Sequence, residues 1–169
     1  FVSAQFAANA QTDWGWDWAS DKDRHLHPKY APVNRYATDI IGCLNNYVDG
    51  WVDWNMVLDR QGGPNWFKNW CVAPVIVDPD KDEVYFTPLY YVMAHFSKFM
   101  RPGAVKIGCE INHKEVMATA VQNPDGSIVI AVFNPTEEKY TISINLNKVV
   151  KNITIDAKAL QTIVIKNNN

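Results

Sequence analysis

Four of the seven tryptophans of this chain lie between residues 50 and 70, among asparagines, aspartates and a Gly-Gly-Pro turn. The segment reads GWVDWNMVLDRQGGPNWFKNW. An indole face stacks on the C–H face of a pyranose, and amide or carboxylate side chains take its hydroxyl groups. Packing at the rim of a hydrophobic core would explain any single tryptophan equally well. The segment as a whole favours a binding site for a neutral sugar.

The distribution of residue types divides the chain in two. After about residue 103, Val, Ile and Thr alternate with polar residues at a period of two. We therefore predict two domains, residues 1–103 with the binding chemistry and residues 104–169 rich in β-strands. All seven tryptophans precede residue 71: Trp14, Trp16, Trp18, Trp51, Trp54, Trp66 and Trp70.

Length and charge exclude several classes of function. The chain has 169 residues, 47% of them hydrophobic, and a formal net charge of −2. A chain of this size buries a core, and its charge offers nothing that would attract nucleic acid. No apolar run reaches the ~18 residues of a membrane helix. The start, FVSAQFAANAQ, lacks the basic and apolar regions of a signal peptide.

The metal-binding and disulfide chemistry of the chain is sparse. Cys43, Cys71 and Cys109 are odd in number and widely spaced, so we predict buried apolar fillers rather than a disulfide framework. His25 and His27 lack a nearby third ligand and are interpreted as polar loop residues. The sequence predicts no metal site and no cofactor.

Two helices are predicted in the first part. The first has Asn34 as its N-cap, and the second opens with Thr87-Pro88 and ends at Arg101-Pro102-Gly103. Apolar residues at three- and four-residue spacing mark the buried faces. These are Tyr36, Ile40, Ile41, Leu44 and Val48 in the first helix, and Leu89, Val92, Met93, Phe96 and Met100 in the second.

Strands precede both helices. Residues 1–8 are predicted as an apolar strand, and residues 50–55 as a short one. Alternation places Trp51 and Asp53 on one face of the second strand, and Val52 and Trp54 on the other. Strand, loop, helix, strand, loop, helix is the order typical of a (β/α) barrel.

The second part predicts an antiparallel β-sandwich. Turn residues Asn123-Pro124-Asp125-Gly126 and Asn134-Pro135-Thr136 separate its strands. Its surface residues form no aromatic stripe, which favours a structural support over an independent sugar-binding module. The predicted strands span residues 104–111, 115–122, 127–133, 139–146, 150–155 and 160–166.

Five segments of the chain together resemble the carboxy-terminal part of glycoside hydrolase family 30. They are GWVDWN, GGPNW, KNW, an Ile-Val-Asp segment and HFSKFM-RPG. The similarity runs from residue 1 to about residue 166. Its glucosylceramidases, β-glucosidases and β-1,6-glucanases are the relatives nearest in motif. The resemblance implies the last strands and helices of a (β/α)8 TIM barrel followed by an antiparallel β-sandwich domain. Since a barrel needs eight strands, we expect a fragment of a larger protein or one chain of a split protein.

The resemblance also implies retaining hydrolysis of β-glucosides. One Glu protonates the leaving oxygen, and a second, about 5–5.5 Å away, attacks the anomeric carbon. The acid/base Glu would lie upstream, on the N-terminal remainder of the barrel. Phe1-Val2-Ser3-Ala4 occupies the frame of the family's nucleophile motif, so Ala4 stands at the position of the nucleophile Glu. Alanine has no nucleophilic atom, so this form and the isolated chain are expected to be inactive.

The sugar-binding residues follow from the same resemblance. Trp54 corresponds to the tryptophan beneath the glycone, Asn69 to an active-site asparagine, and Asn65 holds the loop or reaches a hydroxyl. Trp66 and Trp16 complete the predicted substrate-binding set, although Trp16 and its neighbours could equally pack their own loop. Asp53 makes either a structural hydrogen bond or a substrate contact.

Two functions of different class remain open. The first is the carboxy-terminal segment of a retaining β-glycosidase acting on glucosylceramide-like lipids or β-glucans. The second is a non-catalytic carbohydrate-binding or interaction module. The partners expected are a β-linked glucoside or glucan and the rest of the barrel, with no nucleic acid and no transmembrane segment. The family implies a secreted, periplasmic or lysosomal protein, and Asn152-Ile153-Thr154 fits a glycosylation sequon.

Overall fold

The chain divides into two compact units. The computed structural model describes residues 3–6, 8–9, 31–64, 66–67, 71–146 and 149–166. The amino-terminal unit ends at Ala94 and the carboxy-terminal unit begins at His95. Neither described helix is both long enough and apolar enough to span a membrane.

The amino-terminal unit contains a parallel βαβ arrangement. The first strand pairs in parallel with the strand that follows the first helix, which is the repeating unit of a (β/α) barrel. Its elements are β1 (Ser3–Phe6), β2 (Ala8–Asn9), α1 (Ala31–Asn45), β3 (Gly50–Asp53), β4 (Val57–Asp59), β5 (Cys71–Val72), β6 (Val75–Asp78), β7 (Glu83–Phe86) and α2 (Pro88–Ser97).

Helix α1 buries the predicted face but begins earlier than predicted. Tyr36, Ile40 and Ile41 are buried as expected, and Leu44 is partly buried. The prediction that Asn34 is the N-cap is wrong, because α1 begins at Ala31 and Asn34 lies within its first turn. Proline is tolerated in that turn, where its missing N–H leaves no intrahelical hydrogen bond unmade, so the helix begins before Pro32 rather than after it.

The strands between β3 and α2 take part in two small sheets. In one, β4 is parallel and β7 antiparallel to the central β6, and in the other β2 pairs with β5. Leu58, Ile76 and Tyr85 lie in register across the first sheet and are buried. The sequence indicated only the apolar run around Ile76. Strands of three or four residues, such as β4 and β7, are too short to show a period.

Helix α2 starts as predicted. Pro88 is its first residue, and the carbonyl of Thr87 accepts a hydrogen bond from the N–H of Tyr90 at 3.0 Å. The buried Thr87 hydroxyl donates to the carbonyl of Ala73 at 3.0 Å, so it attaches the helix to the turn before β6. Leu89, Val92 and Phe96 are buried as predicted, whereas Met93 and Met100 are only partly buried.

The carboxy-terminal unit is the predicted antiparallel sandwich. The strands form one sheet in the order β13-β10-β9-β8 and a second sheet from β11 and β12. All six predicted strands are confirmed. They are β8 (Val105–Ile107), β9 (Met117–Gln122), β10 (Ile128–Asn134), β11 (Tyr140–Leu146), β12 (Val149–Ile155) and β13 (Ala159–Ile165).

The sandwich core lies between these two sheets. Ala118 and Ala120 of β9 and Ile130 and Val132 of β10 pack with Ile155 of β12. The opposite face of β9 and β10 is also buried, because Thr119, Val129, Ala131 and Phe133 are all fully covered. Burial on both faces explains why β10 reads as a continuous apolar run.

Two buried asparagines organise the turns that the sequence marked. Asn123 donates from Nδ2 to the carbonyl of Phe99 at 2.9 Å and accepts from the N–H of Arg101 at 2.9 Å. Asn134 donates to the carbonyls of Glu138 and Asp156 at 2.7 and 2.9 Å. These hydrogen bonds meet the requirement that a buried amide be paired.

The cysteine prediction is only partly right. All three cysteines are free, and Cys71 is buried, but Cys43 and Cys109 are only partly buried. Burial raises the pKa of each thiol above its ordinary value. Each therefore favours the neutral thiol, which is a weak nucleophile and metal ligand.

A histidine joins the end of α2 to β13 within the carboxy-terminal unit. The Thr162 hydroxyl donates to the His95 carbonyl at 3.2 Å and lies 2.9 Å from His95 Nδ1. Because that hydroxyl already donates, its oxygen accepts from an Nδ1–H. Burial lowers the pKa of His95 below its ordinary value.

We predict that acid destabilises the chain through His95. With the folded pKa lowered, the unfolded state binds more protons below the unfolded pKa of about 6.5, so stability is lost as the pH falls through that value. Melting temperature measured from about pH 7.5 to about pH 5 should fall, and His95→Asn, which cannot titrate, should flatten this dependence. An unchanged slope in the variant would contradict the prediction.

Candidate sugar-binding site

The predicted sugar-binding tryptophan follows the last residue of a barrel-type strand. Strand β3 runs from Gly50 to Asp53, and Trp54 is the next residue. Ligands of (β/α) barrels bind where the carboxyl ends of the strands meet, so Trp54 occupies such a position. Its side chain is 54% exposed.

The two faces of β3 are occupied as predicted. Trp51 and Asp53 are partly buried and contact α1, whereas Val52 and Trp54 are both 54% exposed. The helix covers the outer side of a barrel strand, so the face with Trp54 is the one that a barrel interior would use.

Two carboxylates attach β3 to α1. Trp51 Nε1 donates to Asp39 Oδ2 at 2.6 Å, and Tyr36 Oη donates to Asp53 Oδ1 at 2.7 Å. The rings of Tyr36 and Trp51 meet edge to face, with centroids 5.4 Å apart. Asp53 therefore makes the structural hydrogen bond that the sequence left as one of two alternatives.

Asp53 also holds the backbone of the next residue. Its Oδ1 accepts from the N–H of Trp54 at 2.8 Å. Burial raises the pKa of Asp53 above its ordinary value, and the hydrogen bonds from Tyr36 and Trp54 partly offset that effect. Among the described residues, Asp53 Oδ2 is buried and has no hydrogen-bond partner.

The loop with the Gly-Gly-Pro turn is closed at its base. Asp59 Oδ1 accepts from the N–H groups of Gln61 and Gly63 at 2.8 and 2.9 Å. The N–H of Cys71 donates to the carbonyl of Gly62 at 3.2 Å, which brings the two ends of the loop together. The segment between them holds three of the predicted sugar-binding residues.

The structure describes some of the predicted site residues and not others. Trp66 is 98% exposed. Asn65, Asn69 and Trp16 lie outside the described residues.

Ala4 lies in the strand beside β3. It is the second residue of β1 and pairs with Trp51, while Gln5 pairs with Val52 and Phe6 with Asp53. Ala4 therefore lies beside Trp51, whose side chain contacts α1, and Gln5 lies beside Val52, which shares the face of Trp54. Trp54 lies three residues beyond Trp51, the partner of Ala4.

Sequence reasoning missed the residues that hold the site. Asp39 and Tyr36 are three apart on α1, a spacing that puts both on one face of a helix, but their partners on β3 lie far along the chain. Asp59 stands just ahead of Gly62-Gly63, and an aspartate before a glycine turn is a signal for the loop-closing hydrogen bonds it makes. No cluster of three metal-ligating side chains occurs within the described residues.

Comparison with known proteins establishes the family. The model of the glycosyl hydrolase family 30 TIM-barrel domain matches residues 16–100, and that of the family 30 beta sandwich domain matches residues 103–163. The chain belongs to glycoside hydrolase family 30. This confirms the resemblance and the fold class predicted from the sequence, a TIM barrel followed by a β-sandwich. Ala4 lies outside both matched ranges.

Individual relatives agree with this assignment. The chain is 37% identical over 143 residues to putative glucosylceramidase 4 of Caenorhabditis elegans, covering 81% of this chain and 28% of the relative. It is 38% identical over 112 residues to the lysosomal acid glucosylceramidase of Mus musculus, covering 66% and 22%. The crystal structure of SrfJ from Salmonella typhimurium aligns with a TM-score of 0.82 and 24% identity, covering 98% and 34%. The chain thus spans about a quarter of the length of these two curated relatives.

We predict that the base of the loop tolerates no side chain at Gly62. Gly62 has a φ of +85°, and a Cβ there would lie 2.3 Å from the carbonyl oxygen and 2.8 Å from the nitrogen of Cys71. Gly62→Ala should lower the free energy of unfolding by about 2–3 kcal/mol, because both strain and clash fall on backbone. Denaturant unfolding would measure it.

Gly42 in α1 offers a matched control. A Cβ there would meet nothing within 4 Å. Gly42→Ala should raise the free energy of unfolding by up to about 1 kcal/mol, since alanine favours a helix. Equal effects of the two substitutions would contradict the requirement for glycine at position 62.

Proposed function

We propose that this chain is part of a retaining β-glycosidase for β-glucosides, in which Trp54 forms the floor of the sugar site and Ala4 occupies the nucleophile position. The substrates would be glucosylceramide-like lipids or short β-glucans. Family membership supports a glycoside hydrolase parent, and two relatives bear the name glucosylceramidase.

One observation carries the proposal. Trp54 follows the carboxyl end of β3, on the face away from α1, with half of its indole exposed. An indole in that position offers a flat apolar surface to one face of a pyranose. The described residues place no other exposed tryptophan at the end of a parallel strand.

The reaction needs two carboxylates. An acid/base Glu from the rest of the barrel would give its proton to the leaving oxygen as the glycosidic bond breaks. A carboxylate at position 4 would attack the anomeric carbon to form a glycosyl-enzyme, which water then hydrolyses with retention. With alanine there, the protein binds sugar and does not turn it over.

The absence of a nucleophile at position 4 also favours a second candidate. A chain that keeps Trp54 and lacks the carboxylate would serve as a non-catalytic carbohydrate-binding or interaction module. In the carboxy-terminal unit, no aromatic side chain is exposed within the described residues. Sugar binding in either case would therefore depend on the amino-terminal unit.

We predict that Trp54→Ala in the full-length parent protein weakens sugar binding by about 1–3 kcal/mol, through loss of a stacked aromatic surface. Its melting temperature should change little, because the side chain is half exposed. Trp51→Ala is the control, since it removes the hydrogen bond to Asp39 and the contact with Tyr36 and should lower the melting temperature. Unchanged affinity with a large loss of stability in Trp54→Ala would mean that Trp54 belongs only to the core.

We predict that Ala4→Glu in the full-length parent protein creates turnover of an activated aryl β-glucoside with retention of configuration. A fluorinated glycoside should then label residue 4. With Ala4 kept, azide should enter the vacated space and give the α-glycosyl azide, because the small anion attacks from the side of the missing carboxylate.

Gln5→Glu is the matched control for this experiment. Adjacent residues of a strand project to opposite faces, so a carboxylate at only one of the two positions can reach a sugar in the barrel. Activity in Gln5→Glu alone would move the nucleophile position by one residue. Sugar binding without turnover in both variants and without azide rescue would favour the binding module.

A further inference from the structure

The carboxylate of Asp53 links a helix to the backbone that carries the sugar-facing tryptophan. Its Oδ1 accepts from Tyr36 Oη of α1 at 2.7 Å and from the N–H of Trp54 at 2.8 Å. One oxygen atom thus connects the outer helix to the first residue beyond β3.

The helix side of this link is firmly anchored. Tyr36 is fully buried, and its ring meets that of Trp51 at an angle of 64°. Trp51 in turn donates to Asp39 of the same helix at 2.6 Å. Tyr36 therefore has little freedom to move, and it fixes where Asp53 Oδ1 lies.

Among the described residues, the tryptophan side has fewer contacts to hold it than the helix side has. Strand β3 ends at Asp53, so Trp54 lies in a bend beyond the strand, and its N–H is bonded to the Asp53 side chain. Half of its indole is exposed. The direction in which the indole leaves the strand thus depends on the hydrogen bond at its own N–H.

We propose that Asp53 is a positioning residue for Trp54. Because Oδ1 accepts from both the Tyr36 hydroxyl and the Trp54 N–H, the buried Tyr36 fixes the Trp54 backbone, and the backbone sets the plane that the indole offers to a sugar. This inference rests on the proposed function, in which Trp54 is the floor of the sugar site. The role requires an acceptor at Oδ1 and no negative charge, since Oδ2 has no hydrogen-bond partner among the described residues. An asparagine at position 53 would supply the same acceptor.

The experiment compares Asp53→Ala, Asp53→Asn and Asp39→Ala in the full-length parent protein labelled with 5-fluorotryptophan. The Trp54 ¹⁹F resonance is assigned by its loss in Trp54→Phe. Affinity for a non-hydrolysed thio-β-glucoside and melting temperature are measured alongside. Asp39→Ala is the matched control, because it removes a carboxylate hydrogen bond between the same helix and strand without touching the Trp54 N–H.

We expect Asp53→Ala to shift and broaden the Trp54 resonance and to weaken thioglucoside binding about tenfold. Asp53→Asn should retain both properties. Asp39→Ala should lower the melting temperature and should disturb the Trp54 resonance and the affinity much less than Asp53→Ala does, because Asp39 supports Tyr36 only through Trp51. If Asp53→Ala does not fold, Tyr36→Phe removes only the hydroxyl and should shift the resonance in the same direction.

A Trp54 resonance that is perturbed no more in Asp53→Ala than in Asp39→Ala would overturn the inference. So would Asp53→Asn behaving like Asp53→Ala, because the charge and not the acceptor would then matter. Failure of the proposed function gives a different result. In that case Trp54→Phe and Trp54→Ala leave thioglucoside affinity unchanged, while the ¹⁹F resonance still reports whether Asp53 holds Trp54.

Discussion

The pairing of β3 with α1 through two carboxylates is the interaction on which the candidate site depends. Side chains alternate along a strand, so fixing Trp51 and Asp53 against the helix sends Val52 and Trp54 to the other face. A slip of one residue would exchange the faces and bury the Trp54 indole. The hydrogen bonds that the Trp51 indole donates to Asp39 and that the Tyr36 hydroxyl donates to Asp53 resist such a slip because each is specific for one partner. Apolar contacts alone would resist it less.

This arrangement has an energetic cost. Burial raises the pKa of Asp53, which shows that its surroundings disfavour the carboxylate, and Oδ2 has no hydrogen-bond partner in the described part of the chain. A hydrophobic residue at this position would avoid the desolvation. It would also leave the Trp54 N–H and the Tyr36 hydroxyl without their acceptor. Asp53 is therefore better explained by the geometry it imposes on its neighbours than by the stability it contributes.

Local signals predicted the sandwich well and the loops poorly. Turn sequences such as Asn123-Pro124-Asp125-Gly126 occur next to apolar strands of six or seven residues, so the boundaries of these strands were visible in the sequence. The strands β4 and β7 are too short to show a period of two. The start of α1 was predicted too late, because a proline such as Pro32 fits either before a helix or in its first turn. The faces of β3 followed from alternation. The partners Asp39 and Tyr36 could not be assigned, because a sequence does not show which helix residue meets which strand residue.

The loop between Gly62 and Cys71, which carries three of the remaining candidate residues, is held by different interactions from those that hold β3. Strand β3 is fixed by side chains, whereas the loop is fixed at its base by backbone, through Gly62 and Cys71 approaching too closely for a Cβ. Asp59 satisfies two of the N–H groups that the turn exposes. Within the described residues, β3 is thus held by side-chain hydrogen bonds that fix which face each residue occupies, whereas the base of the loop is held by a backbone approach that requires glycine at position 62.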